Sequence, residues 1–432
     1  MSGAGKKSDL KRESGFNRNP CNGRIVVVLL ILLAWFLLSV SSIFARTLQV
    51  ERGSNLQASI DYAADGDTLI IGAKTFYADP VDFIDSLCGN CTEHKMPSQA
   101  SYGFVVKNKS LYIIGSDEKK SVLETGAGYG LFFVNSPNSY LENLTITGGK
   151  RDPDGRATDA AVVVRNSKVH ISGLNIIDNN HRVDSIAVGI GGIIGREGAE
   201  IIVEDCTIAD NSWDGVALYR GAWAIVTDCL IEDGRGAGIG VTWDATCLAY
   251  RNIISGYWKG IGAFGTSWVV AHNNCVMENM GWGIIATGKS YMDAANNVVN
   301  HNGNCGFATW STDCRGRIIN NIITNNGWRQ EWICPCVGIW NQGDWAKWEF
   351  AYNIVWNNKD GNYRDIWDQT GINGNLSVDP QFVGELIFIL KPGSPAIDHG
   401  HPEISDTDGS RCDIGLFGGP QAKQTAAFRG QK

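Results

Sequence analysis

The stretch NNIITNNGW, Asn320–Trp328, carries a pattern that the chain repeats several times upstream. Each copy has a polar pair, two or three apolar residues, a polar turn and a glycine. The glycine before the next apolar run recurs at intervals of 23, 23, 22, 23 and 23 residues, at Gly192, Gly215, Gly238, Gly260, Gly283 and Gly306. A fixed period of this length predicts a solenoid whose units bury their apolar faces against their neighbours.

The composition of each unit indicates strands rather than helices. Short alternating runs, such as GIGV at 238–241, CLAY at 247–250 and NII at 252–254, are separated by Gly, Asn and Asp. Such runs, bounded by turn residues and without helical spacing, are typical of strands. Three strands in each turn predict an all-β solenoid, a parallel β-helix with about 11 coils and a repeat of about 22–24 residues. Longer intervals, such as Gly306 to Gly338, indicate the same unit with a loop insertion.

A polar position recurs with the same period as the glycine. It lies at the turn between the second and third strands of the unit, in the column Cys206, Cys229, Asn252, Asn274, Asn297 and Asn321. A buried carboxamide can donate to one neighbour and accept from another, which satisfies polar groups that burial would leave unpaired. We therefore interpret NNIITNNGW as part of a structural asparagine ladder and not as a catalytic motif.

Two further segments extend the pattern towards both ends. They are SNLQASIDYAADGDTLIIGAKTFY at 54–77 and VDPQFVGELIFILKPGSPAIDHGHPEISDTDGSRCDIGLFGG at 378–419. Together with the coils at 130–338, they resemble the right-handed parallel β-helix proteins of the pectin-lyase-like superfamily. The resemblance implies an N-terminal capping segment at about 47–77, with a short helix and an Asp-Gly-Asp turn, and a closing segment at about 378–419. It implies no single chemistry, because the fold carries lyases, hydrolases, epimerases and non-catalytic proteins.

Residues 25–45, IVVVLLILLAWFLLSVSSIFA, form an uncharged apolar run long enough to cross a bilayer as a helix. The preceding residues 1–24 carry six Lys/Arg against two Asp/Glu, whereas the residues after the run carry 31 against 43. The positive-inside rule predicts a basic cytoplasmic leader, a transmembrane signal anchor at 25–45, an extracytoplasmic β-helix at 46–419 and a flexible tail at 420–432. A cleaved signal peptide ending at Ala45 is the alternative, and it makes the protein secreted.

The charge and the cysteines limit the classes of ligand. The acidic exterior disfavours nucleic acid as a partner, since phosphate binding needs a basic face. CGNCTEH, with Cys88 and Cys91, favours a local disulfide over a metal site, because a second pair at zinc-finger spacing is missing. Cys206 and Cys229 are predicted to fill the core. Asp406, Asp408 and Asp413 superficially resemble a calcium loop, but much of the ligand pattern is absent. We expect them to make turns that cap the last coil, and we predict no metal or other cofactor, with calcium as the alternative.

Alternation predicts which residues of the opening strand face the interior. Val216, Leu218, Ile239, Val241, Ile284 and Ala286 are expected inside, and Ala217, Gly240, Gly262, Ile285 and Ala308 outside. That outer floor is smooth and uncharged. A glycoside hydrolase needs two carboxylates at matched separation, so this floor disfavours a hydrolase.

The turns that flank this strand carry the candidate catalytic residues. A lyase or uronate epimerase needs a cation beside the sugar carboxylate and a group that moves the neighbouring proton. We predict Arg220 for the carboxylate, Tyr219 or His181 for the proton, and Asp184 and Asp214 to orient them. Stacked coils are expected to bring these turns to one edge of a groove, and solvated charges unrelated to catalysis are the alternative interpretation.

Tryptophan indicates where a ligand could lie, because fourteen of the fifteen occur at 213–367. Rings at turns can stack on the faces of sugars. The predicted substrate-binding residues are Arg182, Trp213, Trp243, Trp258, Lys259 and Trp282. Trp223, Trp268 and Tyr291 fall in an outward apolar column of the second strand, which favours a covered or self-association surface.

Two functions are consistent with these patterns. The first is a membrane-anchored extracytoplasmic protein that binds an uronate-type polysaccharide or cell-surface glycan and cleaves or epimerises it. The second is a non-catalytic surface, adhesion or structural rod.

Overall fold

The structure is a computed structural model, and it describes residues 45–51, 53–117, 120–153, 158–181, 188–330, 333–384 and 387–423. From Arg46 onward they form one compact unit. The chain visits three long sheets in turn, and every strand of these sheets except Val81–Asp85 pairs in parallel with the equivalent strand one coil away. This topology confirms the predicted parallel β-helix.

The first sheet contains the strand that opens each coil. Its edge strand Val81–Asp85 pairs antiparallel with Ser98–Lys107, and its other pairs are parallel. Its twelve strands are Val81–Asp85, Ser98–Lys107, Tyr129–Val134, Ala160–Arg165, Gly191–Arg196, Val216–Leu218, Ala237–Val241, Lys259–Ala263, Trp282–Ala286, Phe307–Thr309, Ile339–Asn341 and Tyr363–Arg364.

The second sheet also has twelve strands: Thr47–Val50, Thr68–Ile71, Tyr112–Gly115, Ser139–Glu142, Lys168–Ser172, Glu200–Glu204, Trp223–Thr227, Thr246–Tyr250, Trp268–His272, Tyr291–Ala295, Arg315–Ile319 and Trp348–Ala351. The third sheet has eleven: Thr75–Tyr77, Val122–Glu124, Thr145–Thr147, Asn175–Ile177, Thr207–Ala209, Leu230–Glu232, Ile253–Ser255, Cys275–Met277, Val298–Asn300, Ile322–Thr324 and Ile354–Trp356. The remaining elements are the α-helix Leu56–Tyr62, the 3₁₀ turn Trp345–Lys347 and the hairpin Phe382–Gly384 and Ile387–Leu390.

Alternation along the first sheet separates the rod interior from the outer face, as predicted. The expected inward set, from Val216 and Leu218 to Ile284 and Ala286, lies in the main hydrophobic core. Ala217, Ile285 and Ala308 belong to separate clusters on the outer face. The inward and outward assignments of these residues are therefore confirmed.

The predicted asparagine ladder is present at the turn between the second and third sheets. Asn252 donates to Asn274, Asn274 to Asn297 and Asn297 to Asn321, with Nδ2–Oδ1 distances of 3.0, 3.1 and 2.9 Å. Each accepting oxygen also receives the backbone N–H of the residue one coil earlier. Burial makes these bonds obligatory, because an unpaired amide has no water to replace its partner.

A second ladder follows the turn after the third sheet, and the sequence interpretation missed it. Asn279, Asn302, Asn326 and Asn358 are joined by Nδ2–Oδ1 hydrogen bonds of 2.9 Å each. The stretch NNIITNNGW therefore supplies one residue to each ladder, Asn321 and Asn326.

The N-terminal capping segment covers the edge of the coils. The helix Leu56–Tyr62 begins at Asn55, whose side chain accepts from the Ala58 N–H. Gln57 donates to the Val105 carbonyl at 3.1 Å and accepts from the Val105 N–H at 2.9 Å, as a neighbouring strand would. These bonds satisfy backbone groups of the strand Ser98–Lys107 beyond Tyr102, where it no longer pairs with the edge strand Val81–Asp85 and could otherwise pair with another molecule.

The closing segment packs along the side of the rod. Phe388, Ala396, Ile414 and Leu416 are buried against the outer face of the third sheet, over strands from Ile253 to Ile354. Asn273 Nδ2 donates to the carbonyls of Leu416 and Gly418 at 2.9 and 2.7 Å. Their apolar side chains therefore bury against the lateral face of the coils. Capping of the last coil by turns at Asp406, Asp408 and Asp413 remains a prediction.

The cysteines follow the sequence interpretation. Cys88 and Cys91 form a disulfide, and Cys206 and Cys229 are buried in the core as free thiols. The described residues contain no helix long and apolar enough to cross a membrane. The predicted anchor lies outside them except for Ala45, so it remains a prediction.

Candidate active site

The outer face of the first sheet is covered by aromatic side chains over much of its length. One cover, the N-side cluster, contains Tyr129, Phe132, Ala217 and Tyr219, with Phe83, Tyr102 and Trp243 packed against it. The other, the C-side cluster, contains Trp282, Ile285, Ala308 and Trp340, with Trp258, Phe264 and Trp310 packed against it. The smooth floor predicted from alternation is therefore present, but these clusters bury it.

A cavity of about 290 Å³ opens between the two clusters. One coil makes its floor, and that coil offers only the small side chains of Ala237, Gly240 and Thr242. Asp214 and Tyr219 line it from the preceding coil, and Lys259 and Phe264 line it from the following coil. Its other lining residues are Asn90, Trp213, Arg235, Gly236 and Trp258.

Strand register explains why an acid and a base face this space. Lys259 pairs with Ala237 across the strands. The Asp214 carbonyl accepts from the Gly192 N–H, and the Asp214 side chain accepts from the Ala237 N–H at 2.6 Å. Asp214 and Lys259 therefore lie on either side of the Ala237 methyl group. A larger residue at this position would fill the space between them.

The environment of Asp214 disfavours its charged form. Burial raises the pKa of the carboxyl, and the Ala237 N–H, the Lys259 cation and the Tyr219 hydroxyl oppose this rise. The Tyr219 hydroxyl lies 3.5 Å from Oδ2, at the long limit of a hydrogen bond.

Burial also shifts the pKa values of Lys259 and Tyr219, each away from its charged form. Burial lowers the pKa of the Lys259 ammonium, and the Asp214 charge opposes that change. Burial, reinforced by the Asp214 carboxylate, raises the pKa of Tyr219 well above its ordinary value. Tyr219 therefore remains a protonated hydroxyl that can donate, and Lys259 loses its proton more readily than a solvated lysine.

The structure brings together five of the predicted site residues. Trp213, Asp214, Tyr219, Trp258 and Lys259 line the cavity. Arg182 and Asp184 lie outside the described residues. His181 is exposed, and its backbone bonds Gly149 and Arg151 at the rim of an earlier coil, away from the lining of this cavity.

Arg220 and Trp243 pair with each other next to the N-side cluster. The guanidinium lies 4.5 Å from the Trp243 ring centroid. It donates to the carbonyls of Gly89, at 3.1 Å, and Cys91. Arg220 therefore holds the loop that contains Asn90, and these contacts differ from the predicted contact with a substrate carboxylate.

Trp282 does not extend an open groove as predicted. It is only 2 % exposed, and its ring packs between Trp258 and Trp310, with centroid distances of 5.9 and 5.3 Å. The insertion before Gly338 contributes Cys334 and Val337 to this cluster, and Arg329 lies over Trp258. A ring enclosed in this way has no free face for a sugar.

Sequence reasoning predicted the smooth floor that includes Gly240, but it missed Asn90 and Arg235 as parts of the site. Arg235 lines the cavity and donates to the Ser212 carbonyl at 3.1 Å. Asn90 belongs to an insertion outside the repeat, so the period of the repeat carried no signal for it.

Within the part of the chain that the structure describes, no group of three His, Cys, Asp or Glu side chains converges as for a metal ion. Asp406 and Asp413 accept backbone N–H groups, and Asp408 accepts from Ser410. These bonds agree with the predicted turns, and calcium binding remains an untested alternative.

Comparison with known families agrees with this architecture. The model described as "Right handed beta helix region" matches residues 88–254 and 192–359, which together cover more than half of the chain. The chain belongs to the right-handed β-helix family. No curated protein matches this β-helix protein at the sequence level.

A solved structure shares this fold, and two others are similar at lower TM-scores. A pectate lyase is 14% identical with a TM-score of 0.51, and the match covers 88% of this β-helix protein and 98% of the lyase. A mutant of a periplasmic alginate epimerase is 14% identical with a TM-score of 0.42, covering 70% and 92%. A mannuronan C-5 epimerase module of Azotobacter vinelandii is 11% identical with a TM-score of 0.37, covering 75% and 94%. At these identities the likeness concerns the fold alone.

Proposed function

We propose that this β-helix protein binds an uronate-type polysaccharide and cleaves or epimerises it at the Asp214–Lys259 cavity. The observation that carries the proposal is Lys259, an amine with a lowered pKa that shares a cavity with a half-buried acid and a protonated tyrosine. The fold that this protein shares with a pectate lyase supports the choice of substrate class.

The arrangement suits proton abstraction next to a sugar carboxylate. Neutral Lys259 takes the proton at C5, and the electrons of the C–H bond move into the carboxylate to give an enediolate. The Arg235 cation, which also lines the cavity, stabilises the negative charge that develops there. Arg235 thus takes the role that the sequence interpretation gave to Arg220.

Two outcomes follow from that intermediate. In a lyase, the C4–O bond breaks, a C4–C5 double bond forms and the departing oxygen takes a proton. In an epimerase, C5 takes a proton on the opposite face. Tyr219, a protonated hydroxyl in the same cavity, is placed to supply either proton. Trp213 and Trp258 then provide aromatic rims that suit sugar faces.

Replacement of the amine tests the proposal. Lys259→Met is expected to reduce turnover of polygalacturonate or alginate by about 10²–10⁴-fold, the usual contribution of a general base. New ultraviolet absorbance from unsaturated ends reports cleavage, and a change in the C5 epimer ratio by NMR reports epimerisation. Lys289→Met, at an exposed lysine outside the cavity, is the matched control. Equal turnover by the two variants would remove Lys259 from the mechanism.

The second candidate is a non-catalytic rod, and the outer face of the second sheet favours it. Trp268 is 45 % exposed and stacks on Tyr291 with a centroid distance of 3.9 Å. Half-buried Ile225, Leu248 and Val270 lie beside them. Binding of glycan without any product supports this candidate. Self-association through this face remains a prediction, as does anchoring of an extracytoplasmic domain through residues 25–45.

A further inference from the structure

A loop at 86–97 enters the cavity from outside the repeat. The Cys88–Cys91 disulfide closes its tip, and both cysteines are buried. Asn90 lies between them, is exposed and lines the cavity next to Asp214 and Tyr219. The loop thus presents one carboxamide to the space where the proposed chemistry occurs.

Two arginines hold this loop in place. Arg220 donates to the carbonyls on both sides of Asn90, those of Gly89 and Cys91, and its own plane rests on Trp243. Arg196 lies under Gly89 so closely that a Cβ atom there would stand 3.0 Å from Nε. The backbone on either side of Asn90 therefore has little freedom, which makes its side chain a preorganised contact.

The cavity is closed along the axis of the rod on both sides. The N-side cluster buries Ala217 in the preceding coil, and the loop with Asn90 stands beside it. In the following coil, the Phe264 ring covers Gly262, where a Cβ atom would stand 2.4 Å from that ring. The open floor spans about one coil, or about 4.8 Å between adjacent strands. A glycan that continues along the axis in both directions has no space here.

We infer that the cavity recognises the end of an acidic glycan chain and that Asn90 contacts its terminal sugar. This inference rests on the proposed function and specifies which part of the polysaccharide the site takes. Arg220 is a positioning residue in this arrangement, since it acts through the loop and not on the sugar.

Stoichiometry distinguishes a glycan end from the middle of a chain. The Lys259→Met variant is titrated calorimetrically with oligogalacturonates and alginate oligomers of increasing length, which bind without turnover. We expect one protein molecule for each glycan chain at every length. A number that rises with length overturns the inference and leaves the proposed function standing. No binding at any length overturns both.

Variants of the loop test the role of Asn90. In the Lys259→Met background, Asn90→Ala is expected to weaken oligomer binding by about tenfold, the effect of one lost hydrogen bond to the sugar. Thr92→Ala, at an exposed residue of the same loop outside the cavity, is expected to bind normally. Unchanged binding by Asn90→Ala overturns the assignment of this contact.

A double-mutant cycle separates positioning from direct contact. Arg220→Met alone is expected to weaken binding about as much as Asn90→Ala, and the double variant is expected to lose little more, because both changes remove the same contact. Independent, multiplying losses would show that Arg220 holds the sugar itself, and they overturn the positioning role. Circular dichroism confirms that each variant retains its strands.

Discussion

Asp214 and Lys259 can share one cavity because the residue between them, Ala237, is small. Ala237 separates Asp214 from Lys259 along an outward column of the first sheet, so that both reach into one partly dry space. There the pKa of the acid rises and the pKa of the amine falls, and each charge partly restores the other. Removal of either charge is therefore expected to shift the pKa of the other group.

A pH profile tests this coupling. Neutral Lys259 is the active form, so kcat/KM should rise with pH, along a limb centred below the ordinary lysine value. Asp214→Asn removes the charge that raises the pKa of Lys259, so we expect this limb to move to lower pH. Asp244→Asn, at an exposed carboxylate outside the cavity lining, is the control. A shift to higher pH in Asp214→Asn would contradict the assigned role.

Among the elements, the turns join successive coils as the strands do. The two asparagine ladders join successive coils through buried side chains, in addition to the backbone hydrogen bonds of the sheets. Each ladder residue satisfies groups on both neighbouring coils, so the loss of one residue affects three coils.

We expect Asn297→Ala to lower the free energy of unfolding by about 2–5 kcal/mol, because it leaves the buried Asn274 N–H and carboxamide without their acceptor. Urea denaturation followed by circular dichroism measures this change. Asn180→Ala, at an exposed asparagine of an earlier turn, is expected to change stability by less than about 0.5 kcal/mol. Equal effects of the two substitutions would show that the ladder is not a source of stability.

The N-terminal capping segment carries an acid-sensitive contact. Arg46 binds Asp67 through Nε and Nη2, at 3.0 and 2.6 Å, and these bonds lower the pKa of Asp67 to about 2. A lowered carboxyl pKa stabilises the fold above the unfolded value, and that stability disappears as the pH falls from about 4 towards about 2. Asp67→Asn should remove this dependence, whereas Asp79→Asn, at an exposed carboxylate, should retain it. Denaturation at several acidic pH values gives the comparison.

Across the whole molecule, packed apolar side chains cover two of the three outer faces. The closing segment lies on the third sheet, and the two aromatic clusters lie on the first. The second sheet keeps exposed rings within the described residues. Function is therefore expected where these covers leave space, at the cavity on the first sheet.

Truncation of one buried side chain should release the closing segment from the third sheet without unfolding the coils. Leu416→Ala removes a buried side chain from the third-sheet cluster and is expected to cost about 2–5 kcal/mol of local stability. Hydrogen exchange should then accelerate at residues 387–421, while the strands of the coils stay protected. Ile389→Ala, at a half-exposed residue of the same segment, is the control. Simultaneous loss of protection in segment and coils would show one cooperative unit.

The sequence by itself determined the solenoid, the alternation of its strands and the ladder at 252, 274, 297 and 321. These features depend on contacts between residues one coil apart, and the period of about 23 residues shows in the sequence which residues those are. It also placed Asp214, Tyr219 and Lys259 in turns that flank the same strand of their coils, because equivalent positions stack.

Only the tertiary structure decided what covers that face. Arg220 donates a hydrogen bond to Cys91, which lies 129 residues away in the chain, and Asn273 donates one to Gly418, 145 residues away. Insertions such as 86–97 have no period, so their packing depends on which apolar surface remains open once the coils have stacked. For that reason the repeat did not predict that Arg220 binds the loop at 86–97 or that Asn90 lines the cavity, and only the structure shows both.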